Sequence, residues 1–129
     1  MKLLFLAVFF VLAQGCTSTP DRLHSLDISL IGYEKALRWG HEDSLVGFMV
    51  STQAIDSELI RRYKQIDIGG YNTLGRTISE DLNRVELTVV IDYIDKDSMR
   101  VHDLVDKQVW VYDDEVGRWL LASTLPAFM

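Results

Sequence analysis

The chain has 129 residues, with 19 acidic against 13 basic side chains and a formal net charge of −6. That length accommodates one domain and not two. The acidic balance opposes nucleic-acid binding, which draws its affinity from neutralised phosphates, and gives no electrostatic pull toward anionic headgroups.

The chain opens with Lys2 and then an unbroken apolar run, Leu3 to Leu12. That run is about half the roughly 20 residues a membrane-spanning helix needs. A buried N-terminal helix would carry a polar stripe, and this run has none. A short apolar stretch behind one lysine, closed by small residues, predicts a secretory signal over residues 1–15. Its removal takes Lys2 away and leaves the remainder more acidic still. The sole cysteine, Cys16, follows at once, so no disulfide is open to it within the chain.

Leu12-Ala13-Gln14-Gly15-Cys16 resembles the bacterial lipobox, with Ala13 where leucine is usual. The resemblance implies cleavage before Cys16 and two or three acyl chains on it, palmitate among them. One chain anchors marginally, whereas two anchor firmly. Ordinary cleavage nearby is the alternative, and it would leave Cys16 as an odd thiol in an exported protein. Thr17, rather than aspartate, follows Cys16, which by the lipoprotein-sorting pattern implies the outer membrane, with the domain facing the periplasm. Residues 16–22 are expected as lipidated cysteine and short tether. From Thr17 to Arg22 that tether reaches at most roughly 20 Å, so a partner must meet the domain, residues 23–129, close to the bilayer.

Leu23, Leu26, Leu30, Tyr33 and Leu37 recur at steps of three and four, predicting one amphipathic helix. Thr19-Pro20-Asp21 reads as its start and Trp39-Gly40 as its end. A second short helix is expected over Glu42–Met49, and a third over Asp56–Tyr63 with Asp56 as cap. After Tyr63 the period becomes two. Ile66 and Ile68 alternate, Gly69-Gly70 interrupts as a bulge or bend, and Tyr71 and Thr73 resume on a shifted phase.

Val85, Leu87, Val89, Ile91 and Tyr93 predict the clearest strand, with a turn at Asp95–Ser98. Strands are expected over Met99–Tyr112 and Trp119–Leu125. Placing Ile94 opposite Met99 sets Ile91 against His102, Val89 against Leu104, Leu87 against Asp106 and Glu86 against Lys107, the last a favourable pair. Helices followed by strands predict an α+β fold, with three N-terminal helices packed on a bent four-stranded antiparallel sheet.

Two segments carry a family resemblance: Tyr33-Glu34-Lys35-Ala36-Leu37-Arg38-Trp39-Gly40, and Trp119-Leu120-Leu121 with its hairpin partner Val109-Trp110-Val111-Tyr112. With the element order, they resemble the NTF2-like (cystatin-like cone) superfamily. The ending from Trp119 to Phe128 is also similar to that of proteobacterial lipoproteins. The resemblance spans roughly residues 22–128 and is structural. The superfamily hosts isomerases, dehydratases and binding modules, so fold alone decides nothing about activity.

Within that superfamily chemistry is usually done inside the cone by an acid or histidine, assisted by tyrosine. Asp67, Tyr71 and His102 are the candidate pocket residues on that basis, with Asp92 and Asp103 also on strands. In the expected register Asp92 and Asp103 lie on the sheet face opposite His102, so they form no constellation with it. His24, His41 and His102 make no H-x-x-x-H pair, and no metal or cofactor is expected. His41-Glu42-Asp43 suits a helix start. Gly69 to Gly75 lacks phosphate-loop spacing and leads into no helix.

No acid–base pair is legible, so a catalytic residue is not named. The expectation is an envelope lipoprotein anchored through lipid on Cys16, acting as a non-catalytic binding or accessory module for a protein partner or small ligand. Two alternatives stay open. One is a small lipid-anchored enzyme using the cone as an acid–base pocket; the other is a homodimer formed through the open sheet face.

Overall fold

A computed structural model describes residues 19–50 and 55–129. The expected signal, Cys16 and the start of the tether lie outside the described residues. Helix α1 spans Thr19–Arg38 and so takes up Thr19 to Arg22, which were expected in the tether. Leu26, Tyr33, Ala36 and Leu37 are buried along its inner stripe. Its end is a Schellman turn: the His41 N–H donates to the Ala36 carbonyl at 2.9 Å, around Gly40 at φ +67°. Only glycine takes that left-handed position without strain.

The expected second helix is split into α2, Glu42–Leu45, and a 3₁₀ turn, Val46–Phe48. Leu45 and Met49 are buried beneath it. Helix α3, Ser57–Tyr63, is capped as expected, the Asp56 carboxylate accepting from the Glu58 N–H at 3.0 Å.

Four strands follow, β1 (Ile66–Ile78), β2 (Arg84–Asp95), β3 (Val101–Asp113) and β4 (Arg118–Leu121), each antiparallel to the next in the order β1-β2-β3-β4. The fold is α+β. In β1 the register shifts between Ile68 and Gly70, where the glycine pair predicted a bulge, and again between Thr73 and Gly75. The first shift puts Ile68 and Tyr71, three residues apart, on the same inner face.

The β2–β3 register differs from the expected one by two residues. His102 faces Tyr93, Leu104 faces Ile91, Asp106 faces Val89 and Lys107 faces Thr88, while Glu86 faces Val109. The turn is the cause. The Asp95 carboxylate gathers the N–H groups of Asp97 and Ser98, and Met99 turns left-handed at φ 56°. The Asp95 N–H therefore meets the Arg100 carbonyl and pairing starts at Ile94–Val101. A two-residue shift keeps every side chain on its expected face, because a strand has period two.

Strand β4 stops at Leu121 instead of reaching Leu125. The Ser123 hydroxyl accepts from the Val109 N–H, which a continuing strand would have used. The last residues then cross the end of the sheet. Phe128 meets Tyr63 and Tyr93 edge-on at 5.3 and 4.9 Å, and the Tyr63 hydroxyl donates to the Pro126 carbonyl at 2.7 Å. Arg62 fastens this segment, donating to the Phe128 and Met129 carbonyls and to Asp95.

The core lies between α1 and the inner sheet face. Tyr33, Phe48 and Trp110 form a triangle of edge-to-face rings at 5.3, 5.8 and 6.5 Å. Such pairs contribute about 0.5–1.5 kcal/mol each beyond their burial. Trp119 ties the sheet back to α1 by donating its indole N–H to the Arg22 carbonyl at 2.9 Å. Among the described residues no helix is long and apolar enough to cross a membrane.

Candidate functional site

Alternation along β3 aims His102, Leu104, Asp106, Gln108 and Trp110 at the inner face. The last three meet Tyr71 from β1 in a buried polar network. Gln108 is its centre: its amide donates to the Tyr71 hydroxyl at 2.8 Å and to the Asp106 carboxyl at 2.9 Å, and its carbonyl accepts from the Trp110 indole at 3.0 Å. Asp106 is 7% exposed and Gln108 1%. A buried amide saturated in this way rigidifies the core, where unpaired polar groups are costly.

Burial pushes the Asp106 carboxyl above the usual carboxylate range, and the bond from Gln108 offsets part of that rise. Burial also pushes the hydroxyls of Tyr33, Tyr63 and Tyr71 up, and the charge of Asp106 raises each of them further. The Tyr33 hydroxyl has no hydrogen-bond partner.

An acid held toward its neutral form beside tyrosine hydroxyls has the makings of a proton donor. The Asp106 carboxyl is buried, and Tyr33 and Trp110 are fully buried directly against each other.

The three expected pocket residues do not converge. Tyr71 joins the buried network. His102, half-buried, stacks on Tyr93 with centroids 5.3 Å apart. It stands four residues from Asp106 on the same strand, roughly 14 Å away, too far for a dyad. Asp67 is exposed, sits beside Ile94 on the other face, and pairs with Lys96 at 3.5 Å. As expected, Asp92 and Asp103 lie on the face opposite His102, and there they stand directly across from each other.

Two surface hollows flank β1. One of about 460 Å³ is lined by residues including Arg38, Trp39, Tyr63, Asp67 and Lys96; another of about 430 Å³ is lined by residues including Asp27, Leu30, Glu34 and Tyr71. Neither reaches Asp106 or His102. Among the described residues no group of three or more His, Cys, Asp and Glu side chains is placed to hold a metal ion.

Asp106 and Gln108 were not singled out from the sequence. One signal pointed to Asp106: on the inner face an acid stands opposite an aliphatic residue of β2, which is the mark of a buried carboxyl. Gln108, an uncharged polar residue within an alternating strand, gave none. No protein-family model, curated protein or solved structure matches this chain.

Proposed function

We propose that the chain is an envelope lipoprotein, anchored by lipid on Cys16 to the outer membrane and facing the periplasm, whose NTF2-like domain is a non-catalytic binding module for a protein partner. One observation carries the non-catalytic part. The inner face of the sheet is packed by Tyr33, Phe48 and Trp110, and the buried acid is bound to Gln108. The outer sheet face supports the partner: Val101 and Val105 are 69% and 58% exposed. The anchoring rests on the short apolar leader and its single cysteine.

The test is crosslinking and pull-down from membranes of cells expressing the full chain, beside a Cys16→Ala control. A protein recovered with the parent, and release of the control from the membrane, are the expected results. Full membrane retention of the control would refute lipid anchoring.

The second reading, a small acid–base enzyme, is favoured by Asp106 beside Tyr71 and the unpartnered Tyr33 hydroxyl. It requires Tyr33 and Trp110 to part and admit a ligand. Protection of the Tyr33 and Trp110 fluorescence from a small neutral quencher, unchanged over a panel of candidate ligands, excludes it.

A further inference from the structure

The outer sheet face carries a pattern that matches itself. Reading across β2 and β3, one row holds Asp92 and Asp103, the next Val90 and Val105, the third Thr88 and Lys107. Two acids directly opposite on neighbouring strands disfavour joint ionisation, and a side-chain hydrogen bond with Asp103, followed by desolvation and the like charge, holds the Asp92 carboxyl above its usual range. Gly70 stands across from Asp92 on β1, so no side chain there covers the acids. No cation neutralises the pair from within its own row, and the only lysine facing outward on β3 is two residues beyond Val105.

We infer that the partner of this face is a second copy of the chain, packed sheet to sheet about a two-fold axis that crosses the strands at the Val90–Val105 row. Such an axis reverses the strand direction of the second copy. Val105 then meets Val105, and Asp103 of each copy meets Lys107 of the other, twice by symmetry. Packed sheets stand about 10 Å apart, a gap that an aspartate and a lysine side chain bridge together. The exposed valines supply apolar burial and the two charge pairs set the register. This names the partner for the binding-module reading and rests on that reading.

Site-directed crosslinking tests it with the full-length chain, the parent with its native Cys16 serving as baseline. Val105→Cys places its thiol at the axis, opposite its mate across the roughly 10 Å gap between the sheets, and a thiol-specific crosslinker of about that span should link the two copies at least about tenfold above the parent. In Val101→Cys the two thiols stand roughly 27 Å apart along the strands, far beyond that span, and the yield should stay at baseline.

Charge reversal gives an independent arm, read by sedimentation. Asp103→Lys and Lys107→Asp should each weaken the dimer about tenfold, and the double variant should restore it. Asp103→Lys also relieves the like-charge contact inside each copy, and its urea midpoint, read alongside, should be no lower than the parent's, which separates dimer loss from unfolding. Absence of the Val105→Cys dimer, equal crosslinking of Val101→Cys, or a double variant that stays monomeric would overturn the inference. A different protein recovered at Val105 would do the same while leaving the binding-module reading intact.

Discussion

Asp106 and Gln108, two residues apart on β3, point into the same core and are joined by a 2.9 Å hydrogen bond from the Gln108 amide to the Asp106 carboxyl. The amide fixes where the acid sits, and burial raises the pKa of its carboxyl. The folded chain holds the proton more tightly than the unfolded one. The group's contribution to stability is therefore full below the ordinary carboxylate pKa and is lost as pH rises through the raised folded value. Asp106→Asn keeps an acceptor for Gln108 and cannot ionise. Urea midpoints should show this variant gaining on the parent at pH 8, with the gap closing at pH 4.

Tyr33 presents the reverse case, a buried hydroxyl without a partner. Tyr33→Phe removes a polar atom and keeps the ring contacts with Phe48 and Trp110. Its stability should equal or exceed the parent's by up to about 1 kcal/mol. Trp110→Ala, by contrast, empties the centre of the triangle and should cost about 3–5 kcal/mol. Chemical denaturation of the two variants side by side checks both.

Arg62 and Asp95 join α3, β2 and the C-terminal segment. Hydrogen bonds from Ser98 and Asp97 and the guanidinium of Arg62 hold the Asp95 carboxyl down at about 2. A lowered acid contributes stability that is present above the ordinary carboxylate pKa and lost as pH falls toward the folded value. Arg62→Met should lower the melting temperature by about 5 °C or more at pH 7, and its deficit against the parent should shrink below pH 3. Thermal scans across that range read both effects.

Gly70 is small because Asp92 is close. A methyl group at position 70 would lie 2.7 Å from the Asp92 carboxylate oxygen and 3.3 Å from its Cβ. Gly70→Ala should cost roughly 1–3 kcal/mol, the range for forcing extra atoms into a filled space. Adding Asp92→Ala should recover most of that loss. A double-mutant cycle measures the coupling, and additive losses would mean the glycine serves the backbone of the bulge alone.

The hairpin between β2 and β3 shows how far local pattern reaches. Alternation assigned Val85, Leu87, Val89, Ile91 and Tyr93, with His102, Leu104 and Asp106 opposite that row, to their observed face, because face depends only on the parity of position. It could not assign partners. The register moved by two residues when the Asp95 carboxylate gathered two turn N–H groups and Met99 took a left-handed conformation.

Gly40, the Asp56 cap and the Gly69-Gly70 bulge were legible for the same local reason. Each is settled by residues within a turn of chain. The early end of β4 was not, since it depends on Ser123 meeting Val109 fourteen residues away.

What the sequence determined by itself is thus the order and type of the elements and the faces of the strands, both properties of short runs of residues. Only the tertiary structure decided which side chains share a site. It filled the interior with Tyr33, Phe48 and Trp110 from three separate elements, buried Asp106 against Gln108, and separated Asp67 from both Tyr71 and His102. Packing volume and burial belong to groups brought together from distant parts of the chain, and no periodicity records them.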